Sequence, residues 1–234
     1  PVYSPLQVLV PEATGKETIG SSPMILDVSN ISQGYFIAQS DSSDLTCSLQ
    51  IISPSGVLYS YFIAPGESAT VTFTEGSGDY TITGYQQVQG DQYAALYSET
   101  VTVQLENDFL PFLYPNQYVN FTPDSKASQL ALSLIDEDTV DVDALQQIYD
   151  YVVSNLTYDY EKADYVSDTY VLPDLTQAIE SGSGICFDYA SLLAALCRIQ
   201  GIPARVIVGW TDIEYHAWVE IYLENEGWIN PKVY

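Results

Sequence analysis

The chain has 234 residues, 31 of them acidic and 6 basic, for a formal net charge of −25. An excess of that size excludes nucleic acid and anionic lipid as partners, because both are polyanions. A single histidine excludes a His-rich metal site or a multi-histidine acid–base enzyme, and three cysteines, an odd number, do not make a disulfide framework.

Taken in chain order, residues 1–22 read as an extended lead-in with no secretory signal, so the Pro1-Val2-Tyr3 start is expected to be a mature or trimmed end. From residue 23 to 106, short alternating runs recur at 25–28, 35–38, 45–52, 57–63, 69–73, 80–85 and 94–105. Turn clusters such as Ser53-Pro54-Ser55-Gly56 and Glu75-Gly76-Ser77-Gly78-Asp79 separate them. That spacing predicts an Ig-like β-sandwich of about seven strands. Cys47, within Leu45-Thr46-Cys47-Ser48-Leu49, is expected in its core, and the twenty tyrosines are expected mainly as cross-strand packing. Residues 107–123 form an aromatic, Pro-containing connector expected to pack between two domains, and residues 124–234 form the second. Helical periodicity opens that domain at 125–134 and 142–153, the latter behind acidic residues suited to a helix start. The acids of 136–143 read as a solvated face. No loop has EF-hand spacing, and no apolar run reaches the length of a membrane span.

A third helix is predicted after Ser183-Gly184-Ile185, with Ser183 as its N-cap. Ile185, Leu192, Leu193, Leu196 and Ile199 repeat at helical spacing, so a broad face is buried. Gly201 stops the helix and Pro203 prevents its resumption. Cys186 falls in the first turn, where unpaired N–H groups and the helix dipole favour a thiolate, whereas Cys197, three turns on, reads as core. Two strands follow, 205–210 and 216–223, joined by a turn containing Asp212 and Glu214. Alternation in the second sets His216, Trp218, Glu220 and Tyr222 on one face and Ala217, Val219, Ile221 and Leu223 on the other. A lone cysteine is usually a small buried hydrophobe, and a lone histidine a satisfied strand residue. A helix start packed on a neighbouring strand, however, brings thiol and imidazole within reach, as nucleophilic catalysis by cysteine requires.

Gly184-x-Cys186-x-Asp188-Tyr189-Ala190, Arg198-x-x-Gly201-Ile202-Pro203-Ala204-Arg205-Val206 and His216-Ala217-Trp218-Val219-Glu220-x-Tyr222 together resemble the transglutaminase-like core, a relative of the papain-like cysteine proteases. Leu156-Thr157-Tyr158-Asp159 resembles a further segment of it. The resemblance implies an α+β domain from about residue 124 onward, with Cys186 as nucleophile and His216 as general base and acid. It also implies a carboxylate that orients the histidine, an Asp before a Pro that follows a Trp. Trp228-Ile229-Asn230-Pro231 holds that place, so Asn230 is the third candidate; the alternative is an Asp beyond Tyr234. Asn can hold an imidazole tautomer but cannot stabilise an imidazolium as a carboxylate does.

The fold class expected is therefore α+β, an all-β sandwich followed by a papain-like, transglutaminase-like domain. The function expected is acyl transfer or hydrolysis at peptide or carboxamide bonds, through a thioester, on a protein or peptide substrate such as cell-wall peptide. No cofactor or metal is called for, since side chains and backbone donors supply the chemistry. The other open reading is an idle transglutaminase-like scaffold serving as a surface binding or adhesion module. Domain pairing and acidity place the protein outside the cell or on its surface.

Overall fold

The computed structural model describes residues 8–136, 139–166, 171–210 and 215–232. They divide into two compact units: residues 11–114, and residues 115–232 together with 8–10. The boundary falls between Tyr114 and Pro115, inside the aromatic connector.

The first unit holds eight described strands: β1 (Thr18–Ser21), β2 (Met24–Asp27), β3 (Tyr35–Ser40), β4 (Cys47–Ile52), β5 (Leu58–Ile63), β6 (Ser68–Thr72), β7 (Gly78–Gln89) and β8 (Gln92–Val103). They build two four-stranded antiparallel sheets, ordered β1-β2-β3-β6 and β5-β4-β7-β8. Each of the seven predicted runs is a strand. β1 is the addition, inside the stretch expected to be only a lead-in; four residues with Ile19 as their one large apolar side chain carry no readable alternation. Phe36, Phe73 and Tyr80 stack through tilted ring contacts across the interior, and Cys47 is fully buried with its Sγ 3.5 Å from Ser40 Oγ. Tyr97 of β8 closes the seam between the sheets. Its hydroxyl donates to the Met24 carbonyl at 2.9 Å, and a Cβ on either Gly20 or Gly84 would stand under 3 Å from its ring.

The second unit contains helices α1 (Lys126–Leu134), α2 (Asp141–Asn155), α3 (Tyr160–Val166), α4 (Leu175–Ser181) and α5 (Cys186–Ile199). Two-residue strands β9 (Thr157–Tyr158) and β10 (Ser183–Gly184) pair in parallel, and β11 (Ala204–Trp210), β12 (Tyr215–Leu223) and β13 (Gly227–Ile229) form an antiparallel sheet in that order. Ser125 caps α1 by accepting the Ser128 N–H, and Asp174 caps α4 by accepting that of Gln177. Helix α5 is the axis of the unit, packed by α1, α2 and α4 and by the β11–β12 hairpin. Leu192, Leu193, Leu196 and Cys197 are fully buried along it. Enclosure on nearly every side explains why its apolar periodicity reads as broad.

Candidate active site

Helix α5 begins at Cys186, as the motif predicts, but its cap differs from expectation. Ser183 lies in β10, and Ile185 occupies the N-cap with no side-chain hydrogen bond of its own. Asp188, one turn in, does the work instead: its Oδ2 accepts the Ile185 N–H at 2.9 Å. A carboxylate in the first turn satisfies an orphan donor and opposes the positive helix end. Asp188 is 1 % exposed and takes a second partner, Lys162 Nζ of α3, at 2.7 Å. Gly184 is required where it stands, because a Cβ there would meet Asp188 Cβ at 2.6 Å.

The segment before Cys186 is fixed by the Leu156-Thr157-Tyr158-Asp159 stretch. Thr157 pairs with Ser183 and Tyr158 with Gly184, and the Asp159 N–H donates to the Gly184 carbonyl at 3.0 Å. Tyr158 stacks on Tyr189, and Phe187 lies against Tyr118 with ring centroids 5.8 Å apart. Cys186 itself is half-buried, unlike Cys47 and Cys197, which are fully enclosed. None of the three forms a disulfide among the described residues. Burial pushes the Cys197 thiol far above its ordinary range, and burial likewise raises Cys47.

His216 enters from the sheet. Ala217, Val219, Ile221 and Leu223 of β12 are buried in the α5 core, while His216, Trp218, Glu220 and Tyr222 on the opposite face are half-buried. From the end of α5, Gly201 in a left-handed turn (φ 76°) reverses the chain, and the Ile202 N–H returns to the Cys197 carbonyl. β11 then runs back for seven residues, about 23 Å, beside a helix of fourteen residues, about 21 Å. Both β11 and β12 pack on α5, and His216 is the second residue of β12. It pairs with Gly209, so no side chain stands directly across from the imidazole on β11. Asp212 and Glu214, expected in the intervening turn, lie outside the described residues.

Asn230 is placed differently. Trp228 pairs with Tyr222 and Ile229 with Ile221, five residues along β12 from His216, and Asn230 follows as an exposed residue. The Trp before it is held firmly: Arg205 covers the Trp228 ring at 4.2 Å and binds Glu220 through two nitrogens, at 2.6 and 2.8 Å.

Sequence reading assigned no role to Asp188 and did not single out Lys162. The signal for Asp188 was present, an acid three residues into a helix behind Gly184-Ile185-Cys186. Lys162 is 26 residues away in sequence, and nothing local points to it.

Residues 128–231, containing Cys186, His216 and Asn230, match the transglutaminase-like superfamily. That match lies within the second unit. Among curated relatives, YebA of Bacillus subtilis (strain 168), itself uncharacterised, is 26 % identical over 181 residues, 65 % of this chain and 22 % of that protein. A protein-glutamine gamma-glutamyltransferase of Pseudomonas aeruginosa is 32 % identical over 65 residues, 22 % of this chain and 10 % of the relative. The chain thus spans less than a quarter of the length of either relative. Among solved structures, the periplasmic domain of TgpA from Pseudomonas aeruginosa is similar with a TM-score of 0.40 at 14 % identity, covering 93 % of both chains. Proteins of the superfamily are usually cysteine acyltransferases or proteases that act on protein substrates. No helix among the described residues is long and apolar enough to cross a membrane.

Proposed function

We infer that the protein is a thiol-dependent acyltransferase or amide hydrolase acting through Cys186 and His216. The observation that supports this reading is a half-buried cysteine at the first residue of a buried helix, in a unit whose β11–β12 hairpin carries the chain's only histidine and packs on that helix. Cys186 thiolate attacks a carboxamide or peptide carbonyl, and the oxyanion faces unpaired N–H groups of the helix start. His216 gives a proton to the leaving amine, then removes one from the water or amine that cleaves the thioester. The name of the Pseudomonas relative supports a glutamine carboxamide as acyl donor. Asn230 is the candidate third residue through its place in Trp228-Ile229-Asn230-Pro231, and a location outside the cytosol accords with the acidic composition.

The test is trapping. A thiol-reactive acyl probe should label Cys186, and the rate should fall sharply in His216→Ala. Equal rates in the two proteins would remove the case for a paired base. The alternative of an idle binding scaffold predicts that turnover of a peptide or carboxamide substrate is absent and that binding survives Cys186→Ser.

A further inference from the structure

The β7–β8 hairpin carries chemistry that the sandwich does not use. Four of the chain's fifteen glutamines fall within seven positions: Gln86, Gln87, Gln89 and Gln92. A register shift between Gln87 and Gln89 sets Val88 in a bulge, and Gln89 pairs with Gln92 across a Gly90-Asp91 turn. Gly90 takes the left-handed conformation, φ 53°, that so tight a turn demands. Residues 88–92 are all exposed, Val88 to 61 %. Gln87 is tied down, its Nε2 donating to the Gly90 carbonyl at 2.7 Å. Gln89 and Gln92 have no side-chain hydrogen bond among the described residues, so both carboxamides are open to solvent.

Solubility does not ask for this composition. One charge at the tip, Asp91, serves to keep it soluble and unpaired. Around it stand two neutral carboxamides on an exposed turn beside one apolar side chain, Val88. Those are the features an acyl donor needs: an accessible carbonyl carbon, a backbone narrow enough to enter a cleft, and an apolar neighbour to bind.

We propose that Gln89 and Gln92 are acyl donors for the Cys186 site of a second molecule of this chain, a self-modification that rests on the acyl-transfer reading above. Cys186 Sγ bonds to the glutamine Cδ while the Cδ–Nε2 bond breaks, and ammonia leaves with a proton supplied by His216. A primary amine then bonds to Cδ, giving its proton to His216, and the thiolate departs. The product is a secondary amide, and no oxidant or cofactor enters. When the amine is a lysine side chain, the result is a cross-link.

The experiment incubates the protein with monodansylcadaverine, a fluorescent primary amine, and maps adducts by tandem mass spectrometry. Gln89 or Gln92 should gain the amine less one ammonia. Cys186→Ser alone should remain unlabelled, and should become labelled at the same residues when a trace of unsubstituted protein is added. The double variant Gln89→Asn, Gln92→Asn keeps the turn and shortens each carboxamide by one methylene, and should lose the adduct. An N-blocked glutaminyl-glycine dipeptide, assayed in parallel, separates the two readings. Labelled dipeptide with an unlabelled hairpin, or labelling only at other glutamines, overturns the self-modification and leaves acyl transfer standing. If neither is labelled, the self-modification and amine transfer from glutamine both fall, and hydrolysis is the reading that remains.

Discussion

Cys186 and the two other cysteines differ in ways that make their reactivities separable. Cys47 and Cys197 are fully buried and burial raises both thiols, so at neutral pH neither presents a thiolate. Iodoacetamide on the folded protein is therefore expected to modify Cys186 alone, with the other two reacting only after unfolding; modification of Cys197 at a comparable rate would contradict the packing of α5. Asn230 can be judged on the same assay. Because it is exposed, Asn230→Ala should shift stability by no more than about 0.5 kcal/mol, so a fall in labelling rate would report imidazole orientation rather than damage to the fold. Asn230→Asp should keep or raise the rate, as the superfamily pattern implies. Rates untouched by either change would place the orienting group elsewhere, in keeping with a β13 ladder that ends opposite Ile221. The proposed pair could be picked out from the sequence because each residue sits in a motif with its own local grammar: a glycine and an acid around the cysteine, an alternating strand after the histidine. The geometry of the third residue could not, since it depends on strand register, which local pattern does not determine.

At the scale of single elements, the start of α5 rests on one ion pair, buried on its Asp188 side and partly exposed at Lys162. Removing a partner leaves an uncompensated charge, which costs about 3–5 kcal/mol, far more than a surface pair contributes. Lys162→Met should accordingly destabilise the protein by that order in urea unfolding, whereas Lys162→Arg, which keeps the charge, should recover much of the loss. Gly184→Ala forces a Cβ against Asp188 and should cost about 1–3 kcal/mol. In the sandwich, Asp27 closes β2 in a comparable way. Burial by itself would raise its carboxyl, but hydrogen bonds from the Ser29 side chain and from the Gly15 and Ser29 N–H groups outweigh that and hold it below the ordinary carboxylate value. A depressed folded-state value stabilises above the unfolded value, near pH 4, and that contribution is lost as pH falls through the folded one. Asp27→Asn should thus lower Tm at pH 7 and narrow its gap to the parent protein below pH 4. The sheets themselves could be read from turn chemistry and alternation, because both signals lie within a few residues. Helices α3 and α4, seven residues each, were missed because so short a segment carries too few turns to show a period.

For the whole molecule, charge is the dominant property, and it bears on the second unit most directly. Residues 115–234 contain nineteen acids and five bases, a balance of 5 − 19 = −14. Of those five bases, Lys126 is bonded to Glu180, Lys162 to Asp188, Arg205 to Glu220, and Arg198 is buried with its Nε on the Ala204 carbonyl. Lys232 apart, these bases are already engaged, so an approaching substrate meets a negative field. Such a field raises the encounter rate of a cation and lowers that of an anion, through the solvent rather than through contacts, so ionic strength controls it. Two glutamine peptides of equal length, one flanked by lysines and one by glutamates, make the comparison. At low salt the lysine peptide should show a kcat/KM about tenfold higher, by the order of steering effects on association, with most of the difference gone near 0.5 M NaCl, where the Debye length is only about 4 Å. Site contacts in a pocket would instead leave the ratio nearly independent of salt. A preference that persists undiminished at high salt would refute steering and locate the selectivity in side chains close to Cys186.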